Sequence, residues 1–295
     1  MATTFTNQAT LSYNGSTVQS NVATGVIESA VSVSKQAVEE TYGAGGVVTY
    51  IISIVNSGAA DAAGLTVTDD LGGYAFGETT LRPLSFREGT LQYYSDGVLQ
   101  PDPAAEVTEA DGLVISGITV PAGGNSTLVY SADVNEFAPL EAGSAITNSV
   151  TVAGGGICAV SAEDVVNAES SAQLSLFKSV TPVPVAENGE LTYTFMMQNS
   201  GSAPVTADDG AVISDAFAPT LSDIKVSLDG RQLEVDTDYT YDEDTGVFGT
   251  ADGVITVPAA TYAQDPDTGE ISMTPGTAAL SVTGKIGAFC GNNTP

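Results

Sequence analysis

Four lysines are all the chain has, and two of them, Lys35 and Lys178, close short alternating runs of the same make, VSVSK and LSLFK. Side chains alternate along a strand, so Val31 and Val33 share a face with Lys35, and Leu174 and Leu176 share one with Lys178. The parity predicts that both ammonium groups point into a core. Two acids follow the same rule: Leu65, Val67, Asp69 and Leu71 are in phase with Asp70 on the other face, and Ala211, Ile213, Asp215 and Phe217 repeat the pattern. So do two asparagines, Asn148 with Ile146, Val150 and Val152, and Asn7 with Phe5, Ala9 and Leu11.

Burying a lone lysine or carboxylate is costly, and the usual response is a pKa shift towards the neutral form. A desolvated, neutral lysine is an amine nucleophile. A carboxyl group kept protonated by an apolar setting can donate to and polarise the carbonyl of an asparagine. Attack on that carboxamide with loss of ammonia would leave a Lys–Asn amide cross-link. The sets predicted for this chemistry are Lys35 and Asn148 with Asp69 as the promoting acid, and Lys178 and Asn7 with Asp215. The alternatives are a buried ion-pair network without a covalent bond, or inward ends that reach solvent at strand edges.

The elements that must carry these residues are strands. Hydrophobic residues make up 42% of 295 residues, and Val, Thr, Ile and Tyr recur in short runs closed by Gly, Asn and Asp, the texture of an antiparallel β protein. The length suits two domains, each with its own core. An internal repeat divides them: ITNSVTVAGGG, LSLFKSV and GELTYTFMMQNSG (146–201) answer in order to FTNQATLSYNG, VSVSKQA and GGVVTYIISIVNSG (5–58). More loosely, GLTVTDDL (64–71) answers to GAVISDAF (210–217), Asp96-Gly97 to Asp229-Gly230, and GLVISGITVP (112–121) to DGVITVP (252–258). The stretch 261–276 has no counterpart and is expected to be an inserted loop or hairpin.

Seven to nine strands per unit predict two tandem immunoglobulin-like β-sandwiches, over 28–168 and 169–295. The repeat is out of phase. The second unit runs only as far as the strand matching 126–137 and is expected to lack its closing strands, while residues 1–27 match those strands and are predicted to be a donor segment. A sandwich without its last strands leaves backbone unpaired. Insertion of residues 1–27 into a neighbouring copy would satisfy it, and a head-to-tail contact of that kind propagates into a fibre.

Composition narrows the remaining classes. The net charge of −29 opposes binding to nucleic acid or to anionic membranes. No histidine is present, and no phosphate loop or metal-ligand spacing is found, so catalysis on an external substrate is not expected. No cofactor is expected either. The acidic stretches 235–246 and 263–270 could hold calcium through carboxylates, but neither has the EF-hand spacing and solvated turns explain them as well. No apolar run reaches the length of a membrane span, and MATTFTNQ lacks the features of a signal peptide, so either a leader has been removed or export takes another route. Cys158 and Cys290 are too few for a disulfide framework; a bridge between subunits and two reduced thiols are both open.

Lysine on the first strand, G-x-x-x-TY-x-I-x-x-x-NSG in the first unit's pattern, then VTDDL and finally ITNxxTV resembles the Ig-like repeats of bacterial and archaeal surface proteins. The pattern is also similar to the isopeptide-forming domains of Gram-positive fimbrial subunits and adhesins. That resemblance covers nearly the whole chain and implies an extracellular or cell-surface structural protein in which Lys35 joins Asn148 beside Asp69. It departs from the fimbrial pattern in having no sortase-type signal or membrane anchor, which favours self-assembly into a head-to-tail homopolymer. The alternative is a monomeric adhesive or stalk module that binds a host or matrix ligand through its loops.

Overall fold

The structure is a computed structural model that describes residues 2–108 and 110–286. The chain divides into two compact units, Met1–Pro139 with Ser144–Ala168, and Leu140–Gly143 with Glu169–Pro295. Both are built from strands, and among the described residues no helix is long and apolar enough to cross a membrane. Cys158 is exposed, and Cys290 lies outside the described residues.

The first unit begins with a free-standing ribbon. Strands β1 (Ala2–Asn7), β2 (Thr10–Tyr13), β3 (Ser16–Gln19) and β4 (Ala23–Glu28) make one long hairpin, β1 antiparallel to β4 and β2 to β3. Asn14 and Gly15 turn it at φ 46° and 79°, both left-handed, the geometry whose twist matches a two-residue hairpin. Among the described residues these strands pair only with one another, and Phe5, Leu11, Tyr13 and Val18 are exposed. The Phe5 ring lies across its cross-strand partner Gly25, where no side chain stands in its way.

The rest of the first unit is a sandwich. It uses β5 (Val31–Ala37), β6 (Thr41–Tyr42), β7 (Val47–Asn56), β8 (Ala62–Asp69), a small hairpin of β9 (Tyr74–Phe76) with β10 (Thr79–Leu81), and β11 (Leu84–Phe86). There follow β12 (Gln92–Ser95), β13 (Val98–Leu99), β14 (Ala104–Thr108), β15 (Gly112–Val120), β16 (Asn125–Val134), β17 (Ala145–Gly154) and β18 (Ile157–Ala168). One sheet has the order β13-β12-β16-β7-β5 with β11 also on β16; the other runs β14-β15-β8-β17-β18-β6. Burial alternates residue by residue along β16, so its inner side chains Leu128, Tyr130 and Ala132 meet the inner face of the opposite sheet. The hairpin β17–β18 is part of this core: Ile146, Asn148, Val150 and Val152 are all buried, as their parity predicts.

The second unit has β19 (Leu174–Thr181), β20 (Glu190–Asn199), β21 (Ser214–Ala216), β22 (Leu221–Leu228), β23 (Arg231–Gln232), β24 (Tyr239–Tyr241), β25 (Val247–Thr250), β26 (Thr261–Gln264), β27 (Ile271–Thr274) and β28 (Gly276–Ile286). Its first sheet, β23-β22-β28-β20-β19, repeats the order of the first unit's. Asn56 and Asn199 repeat in detail: each carboxamide donates to two backbone carbonyls and accepts from the N–H two residues on, so the NSG triplet is a structural corner. The second sheet, β24-β25-β21, corresponds to β14-β15-β8 and, among the described residues, stops there. The insertion at 261–276 is the hairpin β26–β27, as expected. One alignment is corrected: Leu113 pairs with Asp69 and Phe248 with Asp215, so the start of β15 is answered by Val247–Thr250, and only its end by the bridge of Val205 to Val257.

Candidate functional site

Lys35, Asp69 and Asn148 come from three strands, β5 in one sheet and β8 and β17 in the other, and they meet in the core of the first unit. Lys35 Nζ donates to Asp69 Oδ2 at 2.6 Å, and neither side chain has any exposed surface. The Tyr130 hydroxyl, on β16, donates to the same oxygen at 2.7 Å and accepts from Asn148 Nδ2 at 3.2 Å. Backbone N–H groups just beyond β8 complete the set: Leu71 donates to Asp69 Oδ1 at 3.1 Å and Gly72 to Asn148 Oδ1 at 3.2 Å. Lys35 Nζ also stands 4.6 Å from the centre of the Tyr50 ring, whose hydroxyl is buried.

Burial is the largest influence on Lys35 and holds its pKa below the ordinary 10.5, against the opposing charge and hydrogen bond of Asp69 and the more distant charges of Asp70 and Asp164. Burial likewise pushes Tyr130 well above the ordinary tyrosine value, reinforced by Asp69 and partly offset by Asn148. The amine is therefore biased towards its neutral, nucleophilic form, and Tyr130 remains a neutral hydroxyl that can pass a proton without holding a charge.

Chemically, the chain of contacts links an amine, a carboxyl that can accept its proton, a hydroxyl relay and the carboxamide nitrogen that would leave. The Gly72 N–H faces the carbonyl oxygen, where negative charge would develop on attack. Tyr130 and Gly72 are absent from the sequence-based set. Tyr130 was legible only as an inward residue of an alternating strand, and no pattern marks a backbone N–H two residues past a strand end.

In the second unit, Lys178 and Asp215 are also brought together as a hydrogen-bonded pair. Lys178 Nζ stands 4.5 Å from the Tyr193 ring centre and 5.3 Å from that of Phe217, an arrangement that repeats Lys35 over Tyr50. Two things differ. The Lys178 side chain is 39% exposed, where the parity predicted a buried one, because among the described residues none covers the face of β19: Leu174 is 50% exposed against 2% for its counterpart Val31. And the residue opposite Tyr193 on β28 is Val282, where Tyr130 stands opposite Tyr50. Asn7 sits exposed at the end of β1.

A constant offset of 141 residues superimposes the free hairpin on β17–β18. It carries the pair Asn7 and Ala23 onto Asn148 and Asp164, and both hairpins then slip by one residue on the way to the tip. Among the described residues, no three acidic or cysteine side chains converge as a metal site would require.

No family model matches the chain, and no curated protein matches it. Among solved structures it is similar to the major pilin subunit of Bacillus cereus, at 12% identity and a TM-score of 0.36, over 93% of this chain and 73% of that one. It is also similar to the pilus backbone subunit of Streptococcus pneumoniae, at 13% identity and a TM-score of 0.31, over 84% of this chain. A collagen-binding domain from a Staphylococcus aureus adhesin matches 46% of the chain at 12% identity and a TM-score of 0.30. The chain spans about half, 55%, of the length of that pneumococcal subunit.

Proposed function

We propose that this protein is a structural subunit of an extracellular or cell-surface filament, assembled head to tail as one copy lends residues 1–27 to the second unit of the next. One observation carries the proposal: β1 and β4 of the free hairpin pair in the register of β17–β18, and among the described residues the second unit's sheet ends at β21, the counterpart of the strand that β17 pairs with. Transferred through that correspondence, Val150 opposite Asp69 becomes Ala9 opposite Asp215, and Asn7 arrives beside Lys178. The exposed apolar residues of β19 and of the hairpin would then be covered together, with new main-chain hydrogen bonds along β21.

Within the first unit, the site would join Lys35 to Asn148. The Lys35 Nζ–Asn148 Cγ bond forms, the Cγ–Nδ2 bond breaks, one proton passes from Nζ to the departing nitrogen by way of Asp69 and Tyr130, and ammonia leaves. The same exchange between Lys178 and Asn7, promoted by Asp215, would lock neighbouring subunits. Intact mass of the purified chain tests the first bond: one ammonia lost per chain is expected, and an unchanged mass refutes it. Electron microscopy of the chain with and without residues 1–27 tests assembly, since fibres that persist without the segment refute strand donation. Boiling fibres in detergent and reductant tests the lock; complete collapse to monomer refutes it. Monodisperse particles of the full chain would favour an adhesive or stalk module instead.

A further inference from the structure

The second unit holds an apolar cleft of about 410 Å³, lined by Val180, Val185, Leu191, Tyr193, Pro219 and Ile286. Its counterpart in the first unit is filled. There Ile146 and Pro83 both lie against Gly72, and Ile146 and its cross-strand partner Val166 are both buried. The offset that matches the hairpins carries Ile146 onto Phe5 and Val166 onto Gly25, and the match of Asp69 to Asp215 carries Gly72 and Gly73 onto Ala218 and Pro219, the second of which lines the cleft.

We propose, resting on strand donation as set out above, that this cleft is the seat of the Phe5 ring of a second copy. The occupant is specified by shape. Where β17–β18 offers two aliphatic side chains, the free hairpin offers one large ring lying over a glycine, so a single aromatic group takes the place of the pair. Phe5 is 51% exposed in its own chain, an apolar ring that the described residues leave partly uncovered. The cleft opens beside Tyr193, the ring that also carries Lys178, so seating Phe5 sets Asn7, two residues on, at the cross-linking pair. Phe5 is thus the anchor that fixes the register of the donated strand, which period-two slippage would otherwise leave open to alternatives.

The test uses the full chain with the photo-crosslinker benzoylphenylalanine in place of Phe5, irradiated during assembly and mapped by mass spectrometry. Adducts joining position 5 of one copy to Val185, Tyr193 or Pro219 of another are expected. Adducts between copies at other places overturn the seat while leaving strand donation standing. Adducts confined within one chain overturn the seat, and absence of assembly by the unmodified chain overturns strand donation itself. In parallel, Phe5→Ala should raise the critical concentration for assembly about a hundredfold or more. Gly25→Val, which takes the space under the ring, should act in the same direction. Val98→Ala, exposed on β13 of the first unit and outside both the donated segment and the second unit, should leave assembly unchanged, and equal behaviour of all three variants would refute the anchor.

Discussion

Replacing Asp69 by asparagine removes the group on which both the burial of Lys35 and the proposed bond depend. At 2.6 Å and an effective dielectric of about 20, the gross attraction between the two charges is about 6 kcal/mol. The net loss is smaller, about 3–5 kcal/mol, because what remains is a fully buried amine without its charged partner. That is a third or more of the stability of a typical domain, and for a unit of this size it corresponds to a melting temperature lower by about 10–20 °C. An Asn148→Ala background, in which no cross-link can form, separates the ion pair from the covalent bond. Scanning calorimetry of Asn148→Ala with and without Asp69→Asn should show the drop in the first unit's transition. Asp215→Asn should shift the second unit's transition by no more than about 1 kcal/mol of stability, since that pair is part-exposed and screened. Intact mass of Asp69→Asn alone should retain the ammonia. A variant that still loses ammonia, or a transition that does not move in the Asn148→Ala background, would refute the reasoning.

Three further outcomes follow from the same geometry. Tyr130→Phe removes the relay while keeping the ring, so ammonia loss after refolding should slow by about a hundredfold or more, followed by intact mass over time. In Asn148→Ala, Lys35 remains a free amine whose folded pKa is held down by burial. The unfolded chain then binds more protons between that lowered value and 10.5, so stability should rise with pH across this window, until ionisation of the unfolded tyrosines above their ordinary 10.0 reverses the trend through Tyr50 and Tyr130. Denaturant titrations at several pH values measure the slope, and Lys35→Met in the same background should abolish it. Val282→Tyr restores a hydroxyl opposite Tyr193, and it should increase the detergent-resistant fraction of assembled protein, measured by gel densitometry.

Much of this protein was written in local sequence. Alternation along VSVSK, LTVTDDL and ITNSVTV fixes which side chains face inward, because a strand's period is two whatever its neighbours are; hence Lys35, Asp69 and Asn148 were legible as buried before any sheet was assembled. Asn14-Gly15, Asp96-Gly97 and Asp229-Gly230 specify their turns in the same local way, by tolerating a left-handed backbone. The tertiary structure decided what alternation cannot encode, namely what lies across from an inward face. Tyr130 joins Asp69 to Asn148 only because β7 and β16 pair in a register that places it opposite Tyr50, and Gly72 reaches Asn148 only because the chain bends just past β8. The same limit explains Lys178. Its parity matches that of Lys35, but burial is a property of the layer that covers a strand, and over β19 the chain's own described residues supply none.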